Sequence, residues 1–296
     1  MNRRALVASL GALLFSAGAA VGISRLAAKK PGKSGNGRLI SLAPAITETV
    51  ITLNALDQLV AVSNYCVLPP GAKLPRIGSS LTPSFEAIAT LHPSLILCDD
   101  SAGSKQKELS ALARTEIFPW LTLDEVTEST RRLGKVLGQE LAADALAQQL
   151  EMRLSRKSPP DAPRALLLLS YDPDRPAELW FIRPNSLHGA ALASAGVRNV
   201  INRDVKGLPQ LSVEQLIQLD PDMVLIIPTP GATPENKRKM LDAFRALAPL
   251  KAVKDDRLGV VDGTQAVGPS ILQFADSLRA LVQRLSGPHP VGGIIQ

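Results

Sequence analysis

Aromatic residues are scarce in this chain of 296 residues: two Trp, two Tyr and six Phe. A ligand site walled by aromatic rings therefore has few side chains to draw on, and the position of each one is informative. Histidine is scarcer still. His92, His188 and His289 are the only three, and no two share ligand spacing on one helix. A bare Zn²⁺ or Mn²⁺ site needs several convergent His or carboxylate ligands, so no residue is assigned to metal. No Gly-x-Ser-x-Gly elbow and no nucleophile–base pair is present, which leaves an enzyme without identifiable machinery. Cysteine is limited to Cys66 and Cys98. Both follow apolar runs that read as strands; two small buried thiols are the simpler reading and a disulfide the alternative, because spacing does not reveal geometry.

Acidic residues are missing from the first 37 positions, which hold six of the 33 Lys and Arg, so the remainder carries 27 basic and 27 acidic residues. The formal net charge of +6 thus belongs to the start of the chain. A nucleic-acid binder needs concentrated basic residues to neutralise phosphates, and the neutral body excludes that class. Arg3 and Arg4 precede an apolar stretch from Ala5 to Ile23, which reads as an export signal. At about 20 residues it is also long enough to stay as a membrane anchor. Ala17-Gly18-Ala19 would serve as a cleavage site, and the paired arginines admit the twin-arginine route. No cysteine follows the stretch for lipid attachment. The expected location is periplasmic or exported, with residues 5–23 as signal or inner-membrane anchor.

What is present is a stretch written twice. SFEAIATLHPSLIL (84–97) returns as SVEQLIQLDPDMVL (212–225), with the Ser, Glu, Leu, Pro and final Leu identical. Each copy predicts a short helix with a Ser or Thr cap (Thr82 before Pro83, or Ser84, in the first; Ser212 in the second) and Glu86 or Glu214 in its first turn. The helix ends before Pro93 or Pro221, because the residue before a proline is pushed out of the α region. An apolar run follows that suits a strand buried on both faces of a parallel sheet. Two such units predict two α/β lobes of similar construction. Between them, residues 124–157 contain no proline and carry Val136, Leu137, Leu141, Ala145, Leu146, Leu150 and Leu154 at helical spacing, parted near Gly138. The domain reading is a leader and linker (1–37), an N-terminal lobe (38–123), a connecting helical segment (124–158) and a C-terminal lobe (159–296). The tail after Gly287 is expected to fray.

ISLAPAITET, SNYC, GSSLTPSFEAIATLHPSLIL, a long mid-chain helix and PQLSVEQLIQLDPDMVLI, in that order, resemble the helical-backbone (class III) substrate-binding proteins of ABC importers for cobalamin, ferric siderophores and haem. The resemblance runs from about Arg38 to Leu285. It implies two Rossmann-like lobes joined by a single long rigid helix, no enzymatic activity, no cofactor, and a monomer. The implied partners are an ABC permease with its ATPase and a small-molecule metal chelate held between the lobes. Glu86 and Glu214 fall where the family's lobe-tip glutamates dock onto permease arginines. Cleft positions of cobalamin-binding members fall on Tyr65, Trp180, Asp262 and Gly263, and two further tryptophans of that site fall on Ser80 and Leu208. Haem-binding members place a His or Tyr near Ser79 and Ser80, and this chain has neither there. From the residues alone, Tyr65 after a strand end and Trp180 at alternating spacing with Phe181 point to the cleft, whereas Trp120 and Tyr171 suit cleft or core equally. Arg183 could meet an anionic chelate with its planar fork or lie solvated in a loop. A membrane-tethered sensor or scaffold of the same fold, and an exported enzyme, are the competing functions.

Overall fold

The computed structural model describes residues 37–295 except 170, 176, 177, 204, 206–208, 264–266, 288, 289 and 291. The leader reading, His289 and Leu208 therefore lie outside the described residues. The first lobe runs β1 (Leu39–Ser41), α1 (Pro44–Thr52), β2 (Leu59–Val62), α2 (Phe85–Thr90), β3 (Leu95–Cys98), α3 (Gln106–Ser110) and β4 (Arg114–Ile117). Its four strands are all parallel in the order β2-β1-β3-β4. α1 starts directly after the extended Ala43, because Pro44 sits at the first helical position, where its missing N–H costs nothing.

The second lobe runs β5 (Arg164–Leu169), β6 (Leu179–Trp180), α6 (Leu187–Ser194), β7 (Arg198–Asn199), β8 (Gln210–Leu211), α7 (Val213–Leu219), β9 (Met223–Ile227), α8 (Pro234–Arg245), α9 (Lys251–Lys254), β10 (Leu258–Val261), α10 (Ile271–Ser286) and β11 (Gly293–Ile295). Five strands form a parallel sheet in the order β11-β10-β9-β5-β7, and β6 pairs antiparallel with β8. The tail expected to fray instead returns as β11 beside β10. Asp256 holds the Gly292 N–H at 3.1 Å, and Ile294 packs on the core, so the tail has both hydrogen bonds and apolar area to offset its ordering.

The duplicated stretch folds as read: α2 leads into β3, α7 leads into β9, and both strands are buried along their whole length. Ser212 and Gln215 form a reciprocal capping box on α7, whereas Ser84 makes no side-chain cap on α2. His92 and Asp220 hold the equivalent position before the prolines, with φ of 44° and 39°. That left-handed turn ends each helix and gives His92 a backbone role.

The connector is parted at Gly138, as its spacing suggests, and in place of the single long helix that the resemblance implies its two segments form a hairpin of α4 (Leu123–Leu137) and α5 (Glu140–Leu154). Gly138, at φ 68°, supplies the left-handed residue that ends α4, and Gln139 N returns to Gly134 O at 2.8 Å. A continuous helix would have exposed apolar residues that the hairpin buries. Leu133, Leu137, Leu146, Leu150 and Leu154 all join the core that also contains Leu97 and Phe118 of the first lobe and Leu167 and Leu225 of the second. Each fully buried Leu contributes about 1.5–3 kcal/mol, so this shared core holds lobes and hairpin together. The outer faces of the two sheets have separate cores, Ile40, Ile88 and Ile96 in the first and Leu166, Val224 and Ile226 in the second. Cys66 lies in the shared core and Cys98 in the first lobe's outer one, as free buried thiols. Burial and Asp99 push the Cys98 thiol up to about 12, which leaves it inert.

Candidate functional site

Strand order decides where a site can form. β1 has β2 on one side and β3 on the other, and β5 lies between β7 and β9, so the connections diverge at these strands. Open α/β sheets bind ligands outside the carboxyl ends of strands at such switch points. A cavity of about 990 Å³ lies there. Its first-lobe wall is one side of α1 (Pro44, Glu48, Ile51) and the loop after β2 (Tyr65 and Val67–Pro70), and its second-lobe wall is the loop after β9 (Thr229–Ala232), Lys237, Asp262, Gly263, Val267 and the first half of α10. The loop after β2 is held by Arg76, which donates to the Ser63 and Cys66 carbonyls, and by Asn64 Oδ1, which accepts from Gly78 N at 3.2 Å. Tyr65 and Val67 are consequently presented outward, 74% and 61% exposed, at the cavity mouth.

The lobes touch at the back of this cavity. Glu48 accepts from Ser270 N at the start of α10, Trp120 Nε1 donates to Val267 O at 2.7 Å, and Leu187 N donates to Leu121 O at 2.7 Å. Burial pushes the Glu48 carboxyl up, outweighing the N–H groups of Ser270 and Gly268 that hold its charge. A Cβ at Gly268 would come within 2.7 Å of Glu48 Oε2, so only glycine allows this approach. In the second lobe Lys237, 5% exposed, places Nζ 2.6 Å from Asp262 Oδ2.

Of the cleft residues read from the sequence, Tyr65, Asp262 and Gly263 line the cavity. Trp180 and Ser80 are not among its lining residues. Trp180 is on β6, paired with Gln210 of β8, and Ser80 is buried with its hydroxyl on Leu42 O at 3.1 Å. Arg183 donates to Val205 O and also lies off the lining. Glu86 and Glu214 are exposed in the first turns of α2 and α7, away from the cavity. The Ser212 hydroxyl and its own backbone N–H hold the Glu214 carboxyl below its usual range.

Residues 39–263 match the sequence profile of the periplasmic binding protein family, across the first lobe, the hairpin and the second lobe as far as Gly263. The chain belongs to the periplasmic binding protein family. A cobalamin-binding protein of Halobacterium salinarum is 27% identical over 198 residues, covering 64% of this chain and 53% of its own length. The chain thus spans about half of that relative. A vitamin B12-binding protein of Pectobacterium carotovorum is 28% identical over 204 residues, covering 67% of this chain and 72% of its own. Among solved structures, the periplasmic haem-binding protein HutB of Vibrio cholerae superposes with a TM-score of 0.71 at 22% identity, over 84% of this chain and 99% of that one. The fold is shared at that level, and the family is one of binding proteins rather than enzymes.

Among the described residues of this periplasmic binding protein, no helix is long and apolar enough to cross a membrane, and no group of His, Cys, Asp or Glu is placed to hold a metal ion. Sequence reading did not assign Glu48, Lys237 or Phe274 to the site. Glu48 was detectable in principle, being a carboxylate early in a helix that follows a central strand. Lys237 was not, since it stands among Glu235, Lys239 and other charged residues on a surface-like helix.

One consequence concerns pH. His188 packs edge-on against Phe274, with ring centroids 5.3 Å apart, and its Nε2 is buried without a hydrogen-bond partner among the described residues. Burial pushes this imidazole below its ordinary value of 6.5, outweighing the Gly263 backbone bond that raises it. The unfolded chain therefore takes up the proton first as pH falls, so the stability that His188 contributes is complete above pH 6.5 and is lost as pH drops from there towards the folded value. Glu48 acts with the opposite sign, so the measurement is a comparison. Urea midpoints between about pH 7 and 5 should fall more steeply for wild type than for His188→Gln. Parallel curves would show that the imidazole is protonated at no cost in the fold.

Proposed function

We infer that this protein is the receptor of an ABC importer, which captures a bulky metal chelate of the corrinoid or ferric siderophore class between its lobes and hands it to a membrane permease. The observation that carries this reading is the cavity of about 990 Å³ at the carboxyl ends of both sheets, in a chain whose relatives are named for binding cobalamin and vitamin B12. Its volume is at the upper end of small-molecule sites, which run to about 1,000 Å³. Val67, Leu68, Pro69, Pro70 and Phe274 offer apolar wall to a large rigid ligand, with Tyr65 at the mouth and Asp262 at the Lys237 wall. Glu86 and Glu214, exposed at the same place in the two repeat units, are the contacts to the permease. A periplasmic location follows from this role.

Titration with a panel of corrinoids and ferric siderophores, followed by calorimetry and by quenching of Trp120 between the lobes, tests the reading. At least one probe is expected to bind with micromolar affinity or better, about −8 kcal/mol. Failure of every probe to bind more tightly than about millimolar, about −4 kcal/mol, would overturn it.

A further inference from the structure

We propose that the cleft selects uncharged chelates over strongly anionic ones, because the start of α10 and Lys237, both on its described wall, are already held by the protein's own carboxylates. This rests on the chelate reading above and narrows it to a ligand class. The first positive feature is the start of α10, a helix of 16 residues whose first two turns line the cavity through Ser270, Gln273, Phe274 and Ser277. A helix start concentrates about half a positive charge in its unpaired N–H groups and attracts anions. Here Ser270 provides no side-chain cap to its own helix, and Glu48 reaches across from the other lobe to accept from Ser270 N. An anion entering the cavity finds that position taken.

The second positive feature is Lys237. Its side chain is 6% exposed and its ammonium lies 2.6 Å from Asp262, whose own side chain is 47% exposed. The buried cation is therefore matched inside the wall, and the more accessible partner of the pair is the carboxylate. The other polar groups of the described lining, Tyr65, Thr229, Ser270, Gln273 and Ser277, are hydroxyls and an amide. These can hydrogen-bond an uncharged ligand rich in amides. They offer no countercharge to a trianion, which would face Glu48 from one lobe and Asp262 from the other in a cavity of reduced dielectric. Arg183, the guanidinium best suited to an anion, is engaged with Val205 O off the lining.

The test uses two probes, cyanocobalamin as the uncharged chelate and a trianionic ferric tris-catecholate. Wild type is expected to bind the uncharged probe at least about tenfold more tightly. Raising the salt concentration should leave the uncharged probe's affinity unchanged and improve that of the trianion, because screening weakens repulsion. Asp262→Asn frees the Lys237 charge and should shift the ratio of affinities towards the trianion by about tenfold. Tighter binding of the trianion by wild type, or a trianion affinity that falls with salt, would overturn the charge rule while leaving the chelate reading intact. Binding of neither probe nor of any siderophore in the wider panel would overturn both. The salt series needs no variant, so the rule stays exposed to refutation if Asp262→Asn folds poorly.

Discussion

The variant with both Glu86 and Glu214 replaced by alanine is expected to bind its ligand like wild type and to deliver none of it. Both carboxylates are exposed, neither lines the cavity, and each stands in the first turn of a short helix that the sequence writes twice. Loss of a carboxylate at a helix start costs only ~0.3–1 kcal/mol, so the fold should survive. A charge-assisted pair truncated at a buried interface costs ~2–5 kcal/mol, and two such losses would remove most of the affinity for a permease. Uptake into cells or reconstituted vesicles, measured beside ligand affinity, separates these effects. Uptake at the wild-type rate would reduce the two glutamates to helix-end charges.

Phe118→Ala should cost about 3–5 kcal/mol of stability, a large part of the roughly 5–15 kcal/mol that holds a domain together. Phe118 is fully buried where the chain leaves the first sheet for the hairpin, and it belongs to the core shared by both lobes. Its N–H bonds Cys98 O at 2.8 Å, and the Arg132 guanidinium lies 4.8 Å from its ring centroid. Removing the ring empties the joint between sheet and connector, while Phe118→Leu keeps most of the volume and should lose far less. Urea unfolding of the three proteins measures the difference. A loss below about 1 kcal/mol for the alanine variant would mean that the joint refills and the shared core is not what fixes the lobes.

The repeat was legible because several independent signals coincide in it: a cap, a proline stop and a wholly apolar run, each tied to one backbone conformation. The hairpin was half legible. Gly138 marked the break, but helical spacing continues on both sides of it, and only the shared core decides that the second helix folds back along the first. β11 was hidden because its stability comes from Asp256 and β10, both distant in sequence. Tyr65, Asp262 and Gly263 reach the cavity since each lies within three residues of a strand's carboxyl end, where topology fixes position. Trp180 is also in a strand, but its partner is β8 rather than the main sheet, a pairing that no local pattern encodes. Glu48 and Lys237 owe their roles to contacts with Ser270 and Asp262, 222 and 25 residues away.

A bulky metal chelate held in the cleft should copurify with the protein from its own periplasm, where the absorption spectrum and mass of the bound small molecule identify it. One equivalent of an iron or cobalt chelate is the expected occupant, and corrinoids, ferric catecholates and ferric hydroxamates absorb differently enough to be told apart. A metal-free occupant such as an oligosaccharide or a peptide would contradict the account.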